Sequence, residues 1–302
     1  MAAWAWIPIV IWAAFAQTIR NAAQRSLVTE LGTLSATLVR FLYGLPFAGV
    51  WLVLVTTFSG APAALPDFSP TYGLWLLLGA ASQLTATAFL LVAMRQRNFI
   101  VGVAFSKTEV LQVGIFATVM LQEIPTLWSA LAMVVATMGV VLLSLPGQTS
   151  GQASSWRGNA AWFGLASGAC FALSSVGYRG AALQLPGVSA WLIGAWGVVL
   201  AQTLQSLLLG SWIASRQPGA LKAIASAWRL STVAGAMGAM ASIGWLTAVA
   251  LRPAVDVRTL GLTEVFFSYL VSRKLFKEKI SRKELAGLLL VGAGVVVVSA
   301  QL

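Results

Sequence analysis

Long apolar runs separated by short, turn-forming breaks dominate the chain. Measured against the ~20 residues that a helix needs to cross a bilayer, ten runs emerge, at 4–24, 33–57, 70–94, 98–120, 124–145, 157–182, 188–214, 229–251, 255–273 and 282–301. The breaks carry turn chemistry: Ser59-Gly60-Ala61-Pro62, Pro66-Asp67, Pro146-Gly147, Leu185-Pro186-Gly187 and Gln217-Pro218-Gly219. No basic stretch precedes the first run, which has a counterpart around 160–178, so it reads as a span and not a cleaved leader. The expected fold class is an all-α integral membrane protein of ten transmembrane helices.

The pattern also repeats. At a constant spacing of 155, Ala93 matches Ala248, Arg97 matches Arg252, Thr108-Glu109-Val110 matches Thr263-Glu264-Val265, Glu123 matches Glu278 and Gly139 matches Gly294. Five runs fall in each copy, which gives a first repeat at 1–146, a Gly-, Gln- and Ser-rich linker at 147–156 and a second repeat at 157–302. An odd number of spans per copy makes the second copy cross the membrane upside down, as two inverted five-helix repeats around a central cavity, the plan of many secondary transporters.

Composition narrows the function classes. Hydrophobic residues are 59% of 302 positions and charged residues 9%, against roughly 25% charged in soluble domains. With no histidine and Cys170 as the only cysteine, a His- or Cys-ligated metal site, a His-dependent triad and an intramolecular disulfide are excluded. No metal, cofactor or enzymatic activity is expected, and no P-loop is present for direct ATP drive. The formal charge of +11 comes without basic clusters interleaved with aromatics, so it does not point to nucleic acid. Topology accounts for it. Arg20, Arg25, Arg95, Arg97, Arg157, Arg216, Lys222, Arg229 and the stretch from Arg273 to Lys283 all follow odd-numbered spans, whereas Arg179, Arg252 and Arg258 follow even-numbered ones. The positive-inside rule then puts the odd loops in the cytoplasm and both termini outside, in a bacterial inner membrane.

Ile11-Trp12-Ala13-Ala14, Val39-Arg40-Phe41-Leu42, Glu123 ahead of a span containing Gly139, and in the second half Phe171-Ala172-Leu173-Ser174-Ser175 with Glu278 and Gly294 resemble the ten-helix, EamA-like branch of the drug/metabolite transporter superfamily. The resemblance covers essentially the whole chain. It implies that spans 1–4 and 6–9 surround a cavity while spans 5 and 10 pack at the periphery. Glu109 and Glu264 stand where many relatives carry proline, and the outward termini differ from the family's usual cytoplasmic ones.

Charges inside spans carry the functional information, because a lone charge at mid-bilayer costs at least ~2.5 kcal/mol on insertion scales. Glu109 and Glu264, placed mid-span and pseudo-symmetric, suit exchange of a proton or a cationic group. Their alternative role is structural ion pairing with Lys107, Arg40 or Arg258. Lys107 and Glu109, two apart on a helix, would not face each other. Arg40 and Lys107 would serve an anionic substrate or act as fixed counter-charges. Trp12, Gln83, Gln112 and Ser174 are candidates for the cavity lining, as Gln17, Trp245, Gln202 and Gln205 are for polar or aromatic contacts at depth. Arg20 and Arg179 read as interfacial anchors, Trp4, Trp6 and Trp228 as belt residues, and Glu123 and Glu278 as helix caps.

Together these features describe a secondary active transporter of a small organic solute, a metabolite, amino acid or cationic or zwitterionic compound, driven by proton-coupled export. One alternative is an organic-anion or sugar-phosphate-type exchanger using Arg40 and Lys107. Another is a lipid flippase or scramblase. Expected partners are the solute, protons and membrane lipids, with the chain a monomer or homodimer. In a chain with Cys170→Ser, a cysteine introduced within 58–68 should react with an impermeant thiol reagent from outside intact cells and one within 275–281 only after permeabilisation. Cytoplasmic labelling of the former would overturn the orientation.

Overall fold

The computed structural model describes residues 4–58, 66–96, 103, 105–144, 159–275 and 282–300. Every regular element among them is helical: α1 (Trp6–Leu31), α2 (Thr33–Leu42), α3 (Leu45–Phe58), α4 (Pro70–Gln96), α5 (Glu109–Leu121), α6 (Leu127–Ser144), α7 (Asn159–Leu183), α8 (Ala190–Arg216), α9 (Pro218–Ser226), α10 (Trp228–Leu251), α11 (Ala254–Leu260), α12 (Glu264–Lys274) and α13 (Arg282–Ser299). Four stretches are long and apolar enough to cross a membrane: Thr33–Phe58, Pro70–Arg95, Ala190–Arg216 and Trp228–Leu251. Helix α1 is as long as these, but Gln17, Thr18, Arg20, Asn21, Gln24 and Arg25 make its second half polar. The expected linker at 147–156 and Glu278 lie outside the described residues.

Three of the expected spans are interrupted, and local chemistry accounts for each. The second breaks at Tyr43–Gly44 because Pro46, lacking an N–H, cannot bond back to the carbonyl of Leu42. Its bend is tight: a Cβ on Gly44 would stand 2.7 Å from the carbonyl oxygen of Arg40. Ahead of α5, Lys107 and Thr108 form a turn between helical Phe105–Ser106 and the helix that opens at Glu109, with the Thr108 N–H bonded to the Phe105 carbonyl at 3.4 Å. Ahead of α12, the short 3-10 turn Gly261–Thr263 separates α11 from the rest of its run. Both of the last two interruptions end at a glutamate, Glu109 and Glu264, which each open a helix. The loop expected around 215–228 instead folds as α9, started by Pro218, whose missing N–H costs nothing at a first helical position. At the end of α1, Gly32 takes φ 77°, a conformation that a side chain would disfavour, and this lets α2 turn away at once.

Packing pairs come in exchanges between the two halves of the chain. Helix α1 lies along α10 as α4 lies along α7; α2 meets α10 as α8 meets α4; α12 meets α1 as α5 meets α7. Helices α6 and α13 pack on each other. There Gly139 abuts the Gly287 carbonyl and Val291, while Gly294 abuts Ala136 and the Ala132 carbonyl, a reciprocal contact, since 132, 136 and 139 shifted by 155 are 287, 291 and 294. The close packing of these two helices on each other thus rests on their glycines.

Polarity is distributed inside out. Arg20, Arg40, Glu109 and Glu264 are at most 1% exposed, while Leu74, Val119, Leu127, Trp162, Leu289 and Val296 are more than two-thirds exposed. Gly139→Ala would place a methyl 2.6 Å from a backbone oxygen, where no rotamer change relieves it. A loss of about 1–3 kcal/mol is expected, read as a lowered melting midpoint in detergent, with Gly49→Ala, which meets nothing within 4 Å, as the neutral control.

Candidate functional site

The buried charges converge on one place, the point at which α5 and α12 begin. Glu264 is saturated with donors. Its Oε2 accepts from Gln17 Nε2 at 2.5 Å and meets Lys107 Nζ at 2.5 Å, and its Oε1 accepts from Asn21 Nδ2 at 2.8 Å. Lys107 is shared, lying 3.5 Å from Glu109 Oε1 as well. On the other side Glu109 Oε1 has Arg258 Nη1 at 3.7 Å, and its Oε2 is buried without a hydrogen-bond partner. One carboxylate is thus fixed by short bonds. Glu109 is held by longer ion pairs, to Lys107 at 3.5 Å and Arg258 at 3.7 Å.

Neutral groups orient the charged ones. Trp245 Nε1 donates to Gln17 Oε1 at 2.9 Å, which turns the amide so that its nitrogen faces Glu264. Arg258 lies over the Trp245 ring at 4.6 Å and donates from Nε to Ser175 Oγ at 2.6 Å. Arg20 donates to Asn21 Oδ1 from both Nε (3.2 Å) and Nη2 (2.5 Å), leaving the Asn21 amide nitrogen for Glu264. Close approach of the turn carrying Lys107 to α7 depends on two glycines one turn apart: Cβ atoms on Gly164 and Gly168 would stand 2.3 Å from Phe105 Cβ and 2.9 Å from the Ser106 carbonyl oxygen.

A second polar group adjoins this one. Arg40 donates from Nη1 to Thr87 Oγ1 at 2.6 Å. Tyr178 donates to Gln83 Oε1 at 2.9 Å, and Gln205 Nε2 reaches the same oxygen at 3.0 Å.

Of the residues expected to form the site, Glu109, Glu264 and Lys107 are together at the centre, and Arg40, Gln83 and Ser174 are buried around it. Gln112 is half-buried on α5, outside the network. Trp12 is not a lining residue: it is 47% exposed, facing outward and tilted against Phe15. The separation expected between Lys107 and Glu109 fails because Lys107 and Thr108 form a turn, so helical spacing does not govern the pair, which meets at 3.5 Å. Arg20 is no interfacial anchor, being fully buried in the network. Trp6 is buried under Arg252 and is not a belt residue, whereas Trp4 and Trp228 are exposed. Glu123 does not cap α6. Thr126 does, accepting from the Ser129 N–H at 3.1 Å, while Glu123 pairs with Arg179 at 2.7 Å, and Arg179 also donates to the Val249 carbonyl at 2.8 Å. Asn21 went unremarked in the sequence because asparagine on an alanine-rich helix gives no signal of its partner.

No family model and no curated protein matches the chain. A solved protein structure superposes over 96% of this chain and 98% of its own, with a TM-score of 0.63 and 15% identity. At that identity the likeness establishes a shared fold and nothing about activity.

Removing one partner from a buried pair leaves an uncompensated charge. Glu264→Gln should therefore destabilise the protein by about 3 kcal/mol, while Lys107→Met/Glu264→Gln, which removes both charges, should recover at least half of that loss. Thermal unfolding of the four-member cycle in detergent measures the coupling. Additive single effects would show that Lys107 and Glu264 are not a pair.

Proposed function

We propose that the protein is a proton-coupled membrane transporter of a small organic solute, working by alternating access as two inverted five-helix repeats, and related to the EamA-like branch that its motifs resemble. The exchange of packing partners between halves supports the inverted arrangement. So does the meeting of Glu109 and Glu264, one from each half, at mid-chain helix interruptions of the kind that form transporter sites. The apolar exterior around a charged interior supports a lipid setting.

The observation that carries the mechanism is the inequality of the two carboxylates. Glu264 has three donors and anchors the network. Glu109 has a bare Oε2, and its two cations lie 3.5 and 3.7 Å from the other oxygen, so a proton placed on Oε2 breaks no bond to that atom. Loss of the Glu109 charge would leave Lys107 to Glu264 alone and weaken the hold on Arg258, which is the change in attraction needed to alter how the two halves pack. The Arg179–Glu123 pair with the Val249 carbonyl closes one end, joining α7, the α5–α6 connection and α10. At the opposite end the last turns of α1 and α4 border a cavity of about 440 Å³ lined by Arg25, Ser26, Val28, Thr29, Glu30, Leu91, Met94 and Arg95. These two ends are the natural outer and inner gates of such a cycle.

Vesicles containing the protein and a trapped pH dye, challenged with amino acids, polyamines, quaternary ammonium compounds, nucleobases and sugar phosphates, test this reading. A solute should evoke proton movement with the wild type and none with Glu109→Gln. Coupling that survives in both Glu109→Gln and Glu264→Gln would dismiss the proton mechanism.

A further inference from the structure

The interior holds more positive than negative charge. Arg20, Arg40, Lys107 and Arg258 are all at most 4% exposed, and the only buried carboxylates among the described residues are Glu109 and Glu264, a formal excess of two positive charges. Lys107 and Arg258 are matched to the glutamates. Arg20 and Arg40 form no ion pair with a carboxylate among the described residues. Arginine is the side chain that most strongly retains its charge.

The two arginines lie side by side. Gly238 of α10 is the surface on which both stems rest, since a Cβ there would stand 3.0 Å from Arg40 Cγ and 3.3 Å from Arg20 Cδ. Arg20 spends its hydrogen bonds on Asn21 and Gln17. Arg40 has only Thr87, and its Nε is buried with no acceptor. Gln202 of α8 packs against the next turn of the same chain segment, its amide atoms 3.0 and 3.1 Å from where a Gly44 Cβ would be, and both of those amide atoms are buried without partners. A guanidinium with open donors, a second guanidinium beside it and an unpartnered amide make a site for a planar or tetrahedral oxyanion.

Resting on the transporter reading above, we propose that the solute is an organic anion whose carboxylate or phosphate binds Arg40, with Arg20 supplying charge and Gln202 a further hydrogen bond, and that doubly charged anions bind best because they cancel the excess. Lys107, engaged by both glutamates, is not part of this subsite. Glu109 then serves the proton, and Arg40 the solute.

The test uses the full-length protein in detergent at constant ionic strength, with acetate, succinate, glycerol 3-phosphate and spermidine as probes and sodium chloride as the control. Binding to the folded state raises the melting midpoint. Succinate or glycerol 3-phosphate should raise it more than acetate does, with at least a tenfold loss of affinity in Arg40→Gln and a smaller loss in Arg40→Lys. Thr87→Val, which removes the hydroxyl that holds Arg40, should also weaken binding and serves if Arg40→Gln does not fold. A response to succinate alone assigns a carboxylate and a response to glycerol 3-phosphate alone a phosphate. Stabilisation by spermidine only, or anion effects equal in wild type and variants, overturns the anion site. The vesicle assay separates the two levels of the argument. Proton-coupled movement of a cationic solute that depends on Glu109 would leave the transporter standing without this subsite, whereas anion binding that depends on Arg40 with no transmembrane flux of the bound anion would remove the transporter reading and keep the site.

Discussion

Charge burial is the constraint from which the rest of the structure follows. Six ionisable side chains, Arg20, Arg40, Lys107, Glu109, Arg258 and Glu264, are almost wholly removed from solvent, and each must find compensation inside or destabilise the fold by several kcal/mol. The interior is organised to provide it. Interrupted helices bring Glu109 and Glu264 to the centre at helix starts. Glycines at 164, 168 and 238 let the stems and turns that carry Lys107, Arg20 and Arg40 approach neighbouring helices to a distance that any side chain would forbid. Amides fill the gaps: Gln17 accepts from the Trp245 indole and Arg20, Asn21 accepts from Arg20, and both donate to Glu264.

The same constraint divides the helices by task. Helices α6 and α13 contain no ionisable side chain between residues 130–144 and 285–299 and meet through reciprocal glycine contacts away from the network. Helices α1, α5, α7, α10 and the α11–α12 run carry the polar side chains and surround it. On the proposed reading, one set is frame and the other is the moving part, because only the second contains interactions whose strength changes when a proton or a solute arrives.

Much of this was legible in the sequence. Helix positions follow from apolar runs and turn residues, and Glu109 and Glu264, matched by the 155-residue sequence repeat, share Lys107 in the structure. What failed were inferences that assumed unbroken helices or judged a residue by its distance from a helix end. Lys107 reaches Glu109 across the turn at Lys107–Thr108. Arg20, eleven residues before the end of α1, reads as an anchor until α10 is known to cover it. Trp12 has the composition of a cavity residue and the orientation of an exterior one, a distinction of roughly half a helical turn that hydrophobicity alone does not record. Nor does a proline mark every interruption: Pro46 explains the break after α2, but the turn before Glu264 lies eight residues beyond Pro253 and has no such signal.

The repeat also explains why the two glutamates differ. Shifted by 155, Lys107 corresponds to Leu262 and Arg258 to Val103, so each half contributes one cation that the other lacks. Aligned through Arg20 and Arg179, the Gln17 and Asn21 that saturate Glu264 correspond to Val176 and Gly180, which have no side-chain donor to offer Glu109. Four side-chain differences between positions matched in the sequence leave one anchored carboxylate and one with an open oxygen. A strictly symmetric site would hold both glutamates equally tightly or equally loosely. On the proposed reading, the first would leave no group free to exchange a proton, and the second would leave Lys107 without a fixed counter-charge. Division of the two roles between equivalent positions satisfies both requirements, and it needs the two halves to have diverged at the polar centre while their glycine contacts stayed alike.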